Sequence, residues 1–310
     1  MKLSIVTTMY MSSAYIAEFH RRISAAARSI TDDFEIVFVN DGSPDDSLKA
    51  AVAISGNDKA VRVVDLSRNF GHHRAMMAGL EHSRGERVFL IDVDLEEEPE
   101  LLTTFETEMN SSRADVVYGV QTSRKGGLGE RVGGDFFFGF FNMLSSTVVP
   151  RNVVVARLMT RQYVESLLLH REREIFMLGL WTITGFTQLG VPVVKTSKDS
   201  TTYTLRRKLS VTVNAITSFS NTPLRFIFYL GFAVSFVSAV AALYLVVRTL
   251  FFGQMLAGWA SLIVSVWLLA GLTLFSLGII GIYLSKIFSE VKQRPYTIVR
   301  AVYGSGRIER

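Results

Sequence analysis

Up to about residue 122, short apolar runs alternate with stretches whose apolar residues recur three and four positions apart. Leu3–Met9, Phe34–Val39, Val61–Leu66, Val88–Ile91 and Asp115–Val120 are the runs, a pattern expected of strands covered on both faces. Ala14–Ile30, His72–Ser83 and Glu100–Met109 have helical spacing, and Ser43-Pro44 opens a further helix after the second run. This βαβα order predicts an α/β domain with a mostly parallel sheet and helices on both sides. Farther on, Arg157–His170 predicts a helix and Val191–Lys195 a short strand. Between them, Thr122–Gly134 is rich in glycine and charge and predicts a loop. The phenylalanines at 136, 137, 138, 140 and 141 predict an amphipathic interfacial segment near 130–147.

The pattern changes at Leu224. Phe226–Val247 and Trp259–Leu284 run for more than 20 residues each without a charge, long enough at about 1.5 Å per residue to cross a bilayer. Arg206, Arg207, Lys208 and Arg225 precede the pair, and Lys286, Lys292, Arg294 and Arg300 follow it. The positive-inside rule then puts both ends in the cytoplasm and makes the pair a hairpin with a short outer loop. Four segments are expected: a cytosolic domain over 1–205, a juxtamembrane segment over 206–225, two transmembrane helices within 226–285, and a cytosolic basic tail over 286–310.

Composition narrows the chemistry. The 310 residues carry a net charge of +5 and no cysteine, which excludes disulfides, zinc–thiolate sites and a cysteine nucleophile. The basic residues flank the apolar spans and do not line a groove, so no nucleic-acid partner is expected. The N-terminal apolar stretch is short and broken by threonines, and reads as a first strand, not a signal peptide.

The acidic chemistry collects after the fourth run, in Asp92-Val93-Asp94-Leu95-Glu96-Glu97-Glu98. Residues i and i+2 of an extended chain face the same side, so Asp92 and Asp94 can converge. Two converging carboxylates repel unless a cation sits between them. Oxygen ligands favour Mg²⁺ or Mn²⁺, which leave room for substrate phosphates. A solvated acidic loop ahead of a helix near Pro99 is the competing reading. Asp41 also ends a strand, so one cleft beyond the carboxyl ends can hold all three aspartates.

The motif set around that cleft resembles family 2 glycosyltransferases. Asp41-Gly42-Ser43-Pro44-Asp45 is similar to their D-G-S-x-D turn. Arg68-Asn69-Phe70-Gly71-His72 resembles the R-N-F-G-H motif of the polyprenyl-phosphate branch, which includes dolichyl-phosphate mannose synthases and GtrB-type enzymes. Asp92–Glu96 resembles D-x-D-L-Q, with Glu96 where the family often has glutamine. Arg157-Leu158-Met159, Gly179-Leu180-Trp181 and Thr217–Ser220 extend the likeness.

The resemblance implies a GT-A, Rossmann-like catalytic domain and inverting transfer of one sugar from a nucleotide sugar, UDP-glucose-like, to polyprenyl (undecaprenyl) phosphate. The product would be a lipid-linked monosaccharide for cell-envelope glycan modification. It implies Mg²⁺ or Mn²⁺ on Asp92 and Asp94, with Thr8, Tyr10, Asp41, Ser43 and Asp92 around the nucleotide sugar. An anionic acceptor approaching an anionic donor needs cations, and Arg124, Arg131 and Arg206 are the candidates to grip its phosphate. Glu96 is a candidate metal support or base, with neither role as the third reading. The expected partners are donor, lipid acceptor and bilayer, and the reading is compatible with a homo-oligomer.

Departures from the family pattern fall at substrate contacts. Thr8-Met9-Tyr10-Met11-Ser12 keeps only the tyrosine of P-x-Y-N-E, and Asp199–Tyr203 loses the lysine of G-x-S-K-Y. The D-x-D pair is intact, which implies a different sugar and not a dead enzyme. Two alternatives remain. A processive polysaccharide synthase is disfavoured by the missing Q-x-x-R-W motif and by having only two spans. A non-catalytic membrane scaffold has no reason to keep D-x-D.

Overall fold

The computed structural model describes residues 1–122, 150, 152–173, 175–195, 222–252, 258–304 and 307–309. The chain forms two units. One comprises Met1–Phe138, Thr147–Tyr203 and Arg294–Arg310, and the other Gly139–Ser146 and Thr204–Gln293.

In the first unit the described strands are β1 (Leu3–Met9), β2 (Phe34–Asn40), β3 (Val61–Leu66), β4 (Arg87–Leu90), β5 (Val116–Gln121), β6 (Val153–Thr160), β7 (Gln188–Val193), β8 (Val299–Gly304) and β9 (Arg307–Glu309). They form one sheet in the order β7-β5-β6-β4-β1-β2-β3-β8-β9. Helices α1 (Ile16–Arg28), α2 (Ser47–Asn57), α3 (His72–His82) and α4 (Leu101–Ser112) alternate with the first five strands; α5 (Arg161–Leu168) and α6 (Met177–Ile183) follow β6. The alternating helices and the GT-A-like sheet are as the apolar pattern and the resemblance led one to expect; the sheet is mixed, parallel over β4-β1-β2-β3 and antiparallel where β6, β8 and β9 join.

Every residue of β1 and β2 is buried, which is why these strands are mostly apolar on both faces. From α1, Ile16, Phe19 and Ile23 face the core, and the Phe19 ring meets Phe38 of β2 edge-on at 5.9 Å. Strand direction matters most for function. β1 pairs in parallel with β2 and β4, and β2 with β3. β6 is antiparallel to both β4 and β5, and β5 is parallel to β7. The carboxyl ends of β1 to β5 and β7 therefore share one edge of the sheet, together with the beginning of β6. A ligand cleft belongs there, at the switch point between β1 and β4 where successive connections run to opposite sides.

Two segments differ from the sequence expectation. Arg157–His170, expected as one helix, divides into the end of β6 and the helix α5. Thr160 closes the strand and caps the helix, its side chain accepting from the Tyr163 amide. Strand wins at 157–159 because these residues pair on both sides, Leu158 opposite Phe89 of β4 and Val117 of β5. The stretch after the apolar spans, expected only as a basic tail, supplies β8, with Val302 opposite Val64 of β3. Its alternation is too short to stand out from loop sequence, and pairing with the open edge of β3, and with β9 on its other side, makes it a strand.

The second unit contains α7 (Thr222–Phe252) and α8 (Trp259–Val291). Its apolar side chains are exposed: Phe228, Phe232, Trp267 and Leu268 are each at least 65% accessible. A helix apolar on all sides and bare of protein cover fits a lipid environment. Among the described residues, Ser265–Val291 is long and apolar enough to cross a membrane, with mean hydropathy 2.0, while the apolar stretch Thr222–Ser238 is shorter.

Candidate active site at the carboxyl edge of the sheet

The loops leaving β1 and β2 are tied to each other. The amides of Met11, Ser12 and Ser13 donate to Ser43 Oγ, Ser47 Oγ and Asp45 Oδ2 at 2.7, 2.9 and 3.1 Å. Ser43 Oγ in turn donates to Asp45. Burial pushes the Asp45 carboxyl upward, but these hydroxyls and amides outweigh it and hold the group well below the usual carboxylate range. Met11 takes a left-handed φ of 52°, a conformation that costs a non-glycine residue about 1 kcal/mol or more and collects at functional sites. Tyr10, beside it, is half exposed.

Asp41 is buried and works through its carboxylate, which accepts the Phe70 amide at 2.7 Å and the Gly71 amide at 3.0 Å. Burial raises its pKa and the two amides oppose the shift. Gly42 sits beneath the same turn at φ 61°, and a Cβ there would lie 2.4 Å from the backbone of Arg68 and Asn69. Asp41 and Gly42 thus mould the Arg68–His72 segment, whose last residue opens α3.

His72 links this turn to the acidic loop. Its Nδ1 is 3.1 Å from Thr8 Oγ1, and its Nε2 is 3.3 Å from Asp92 Oδ1. Burial lowers the pKa of His72, more than the charges of Asp41 and Asp94 raise it. A cavity of about 290 Å³ opens here, lined by Phe70, Gly71, His72, His73, Arg74 and Ile175.

Asp92 and Asp94 follow β4. Burial and then the charge of Asp94 push Asp92 up to about 7, with Lys195 opposing and Glu96 adding to the rise. Leu95 turns the chain at φ 62°, and Asp94 Oδ1 accepts the Glu96 amide at 3.0 Å. Glu97 points the other way, into the protein, where it is 1% exposed. It accepts the amides of Val155 and Ala156 on β6 at 3.1 and 2.7 Å, and burial raises its pKa to about 7. Lys195, just beyond β7, places its Nζ 3.0 Å from Glu96 and 3.7 Å from Glu97.

Thr8, Asp41, Asp92, Asp94 and Glu96 therefore meet at one edge, with Tyr10 and Ser43 on its rim. Arg124, Arg131 and Arg206 lie outside the described residues, as does the segment near 130–147. Glu97, Lys195 and the pairing role of His72 are new. No local signal marks Lys195, because two strands of the sheet separate β7 from β4.

Do these residues suit a metal? No group of three metal-ligating side chains converges among the described residues. A pair of carboxylates is nevertheless the donor set that suits Mg²⁺ or Mn²⁺ shared with substrate phosphates. Part of the upward push on Asp92, after burial, is the charge of Asp94, and an ion between the two carboxylates would offset that repulsion. Asp92 and Asp94 are the residues that would hold it.

Known proteins resemble this chain in sequence over nearly its whole length. A Mycobacterium tuberculosis (strain CDC 1551 / Oshkosh) protein assigned to the glycosyltransferases is 53% identical over 305 residues, covering 98% of this chain and 89% of its own. The SfII prophage-derived bactoprenol glucosyl transferase of Shigella flexneri is 32% identical, covering 97% and 98%. Among solved structures, S. aureus TarS 1-349 in complex with UDP-GlcNAc aligns over 70% of this chain and 66% of its own at 17% identity and a TM-score of 0.47. The family model described as Glycosyl transferase family 2 matches residues 4–168, a span that runs from β1 to the end of α5 and takes in Asp41, the Arg68–His72 turn and the Asp92–Asp94 pair. With that match and relatives alike over nearly their whole length, the chain belongs to glycosyltransferase family 2 and is a glycosyltransferase.

Proposed function

We propose that this enzyme transfers one sugar from a nucleotide sugar, UDP-glucose-like, to the phosphate of a polyprenyl lipid on the cytoplasmic face of the membrane. The observation that carries the reading is the joining, in one chain, of the acidic cleft to a long helix with exposed apolar sides, over the same length as a bactoprenol glucosyl transferase. A phosphate oxygen of the acceptor attacks the anomeric carbon, the bond to the nucleoside diphosphate breaks, and its electron pair leaves with the diphosphate. The configuration inverts. The acceptor is already anionic and needs no strong base. Bound Mg²⁺ or Mn²⁺ would neutralise the departing diphosphate as a Lewis acid.

The chain's own residues do the rest. Asp92 and Asp94 would hold the ion. Thr8 and His72 orient Asp92, and Tyr10 offers an aromatic face at the rim for the base. Arg124, Arg131 and Arg206 grip the acceptor phosphate. Two membrane crossings are supported by connectivity: β8, which follows α8, is hydrogen-bonded to β3, so the chain leaves and rejoins the same folded unit. An even number of crossings satisfies that.

The test uses full-length protein in detergent with undecaprenyl phosphate, Mn²⁺ and a panel of UDP-, GDP- and dTDP-sugars, read by mass spectrometry. The expected result is a lipid heavier by one sugar, lost when EDTA removes the metal. Polymer as product would favour a processive synthase. No product from any donor, together with no binding of nucleoside diphosphates, would leave a scaffold. In the same assay Arg206→Ala is expected to raise the KM for the lipid about tenfold, the loss of a charge-assisted contact worth about 1.5 kcal/mol. Nucleotide binding should stay unchanged; equal loss of both would point to misfolding.

A further inference from the structure

We infer that Lys195 is a positioning residue that holds Glu96 out of the metal's coordination shell and thereby sets the cation affinity of the Asp92–Asp94 pair. The inference rests on the metal-dependent transfer proposed above.

Topology brings Lys195 to this place. Its strand, β7, runs in the same direction as β4, with β5 and β6 between them. Both strands therefore end at the same edge, and the residue just past β7 meets the loop just past β4. There Nζ sits 3.0 Å from Glu96 Oε2 and 3.7 Å from Glu97 Oε1. The two carboxylates differ in how they are held. Glu97 is fixed in the protein by the Val155 and Ala156 amides. Glu96 is half-buried on the cleft side, two residues from Asp94, and Lys195 is its ion-pair partner.

Charge explains why such a partner is useful. Asp92, Asp94, Glu96 and Glu97 place four carboxylates within six residues. A divalent ion leaves that set net negative, and a nucleoside diphosphate must still approach it. Lys195 removes one further negative charge. It also engages the carboxylate best placed to become a third ligand. A third carboxylate on the ion would tighten metal binding but occupy a position the diphosphate needs, since Mg²⁺ sites of this kind use one or two carboxylates plus substrate oxygens. Removing Lys195 should therefore move metal affinity and turnover in opposite directions. A residue that merely stabilised the fold would not do this.

The experiment titrates Mn²⁺ into full-length protein without nucleotide, reading free Mn²⁺ by electron paramagnetic resonance, and measures steady-state transfer on the same samples. Lys195→Met is expected to bind Mn²⁺ about tenfold more tightly, the effect of deleting a nearby positive charge. Its kcat should fall about tenfold or more, in the range seen when groups supporting a metal ligand are lost. Lys195→Arg should recover most of both. In the double variant Glu96→Gln/Lys195→Met the gain in affinity should largely vanish, because the third carboxylate is gone. Melting curves for each variant identify one that fails to fold, and Lys195→Arg with Glu96→Gln then carry the comparison.

Unchanged or weaker Mn²⁺ binding by Lys195→Met, with wild type binding normally, overturns the inference alone. A raised donor KM with Mn²⁺ affinity unchanged would make Lys195 a substrate contact and also overturn it. Wild-type protein that binds no Mn²⁺ overturns the inference and the metal-dependent reading together.

Discussion

Asp94→Asn is expected to lower kcat for sugar transfer by about a thousandfold or more, since a divalent ion on the departing diphosphate contributes several kcal/mol. The substitution is close to isosteric. The bond that Asp94 Oδ1 accepts from the Glu96 amide can also be accepted by an asparagine carbonyl, so the Leu95 turn should persist. Stability should hardly change, while Mn²⁺ affinity falls with the lost charge. Both are measurable on one preparation, by thermal melting and by Mn²⁺ titration. Wild-type-like turnover in Asp94→Asn would sink the metal assignment. A protein that melts early would instead mean that Asp94 is part of the fold. Asp92→Asn is a less clean probe, because Asp92 also pairs with His72 at 3.3 Å.

How much of this was legible beforehand follows from which contacts are local. β1 to β4 were readable because both faces of each strand are covered, leaving nearly unbroken apolar runs. Asp92 and Asp94 were readable as a pair because two-residue spacing on an extended chain is itself geometry. Arg157 shows where such reading ends. In sequence it looks like a polar position on an amphipathic helix. In the structure it is 1% exposed, donates to the carbonyls of Val155 and Val154 and stacks on the Trp181 ring of α6. Burial lowers its pKa to about 9. No spacing rule anticipates a buried guanidinium, because the ring that covers it comes from a helix that begins 20 residues later. Lys195 and β8 were hidden for the same reason, since each is defined by a partner that sheet order brings to it. What sequence could not supply was the path of β6 between β4 and β5, and much of the acidic cleft depends on it.

The retention of Glu35 at the opposite edge shows that polarity in this core is organised. Glu35 is 2% exposed, yet it accepts from Ser4 Oγ at 2.7 Å, from Arg62 at 3.1 Å and from the Arg84 amide at 2.7 Å. A buried carboxylate is tolerated when paired and fully hydrogen-bonded. At the carboxyl edge Glu97, facing Lys195, follows the same rule, and Asp41 is held by two backbone amides. Buried acids fasten loops at both ends of the sheet, and at the carboxyl edge the half-buried Asp92, Asp94 and Glu96 lie between such fastened acids, facing the cleft.

Asp41→Asn tests that division of labour. Each Asp41 oxygen accepts one amide, from Phe70 and from Gly71. An asparagine keeps one acceptor and turns its NH₂ toward the other N–H, so a donor faces a donor. The expected cost is about 2–3 kcal/mol, the desolvation penalty of a buried amide left unmade. For a unit of this size that lowers the apparent melting temperature by about 5–10 °C. The catalytic effect should be larger. Gly42 fits beneath Arg68 and Asn69 with no room for a Cβ, so the turn cannot settle closer to compensate. Any shift is passed to His72 and from there to Thr8 and Asp92. A displacement of about 1 Å at reacting groups costs roughly 10²-fold, and kcat/KM for the donor should fall by about that factor along with the melting temperature. If donor KM rises while the melting curve stays in place, Asp41 touches the nucleoside directly, as the family resemblance implies. If both stay in place, the turn does not depend on Asp41, and the route from β2 through His72 to the acidic pair is wrong.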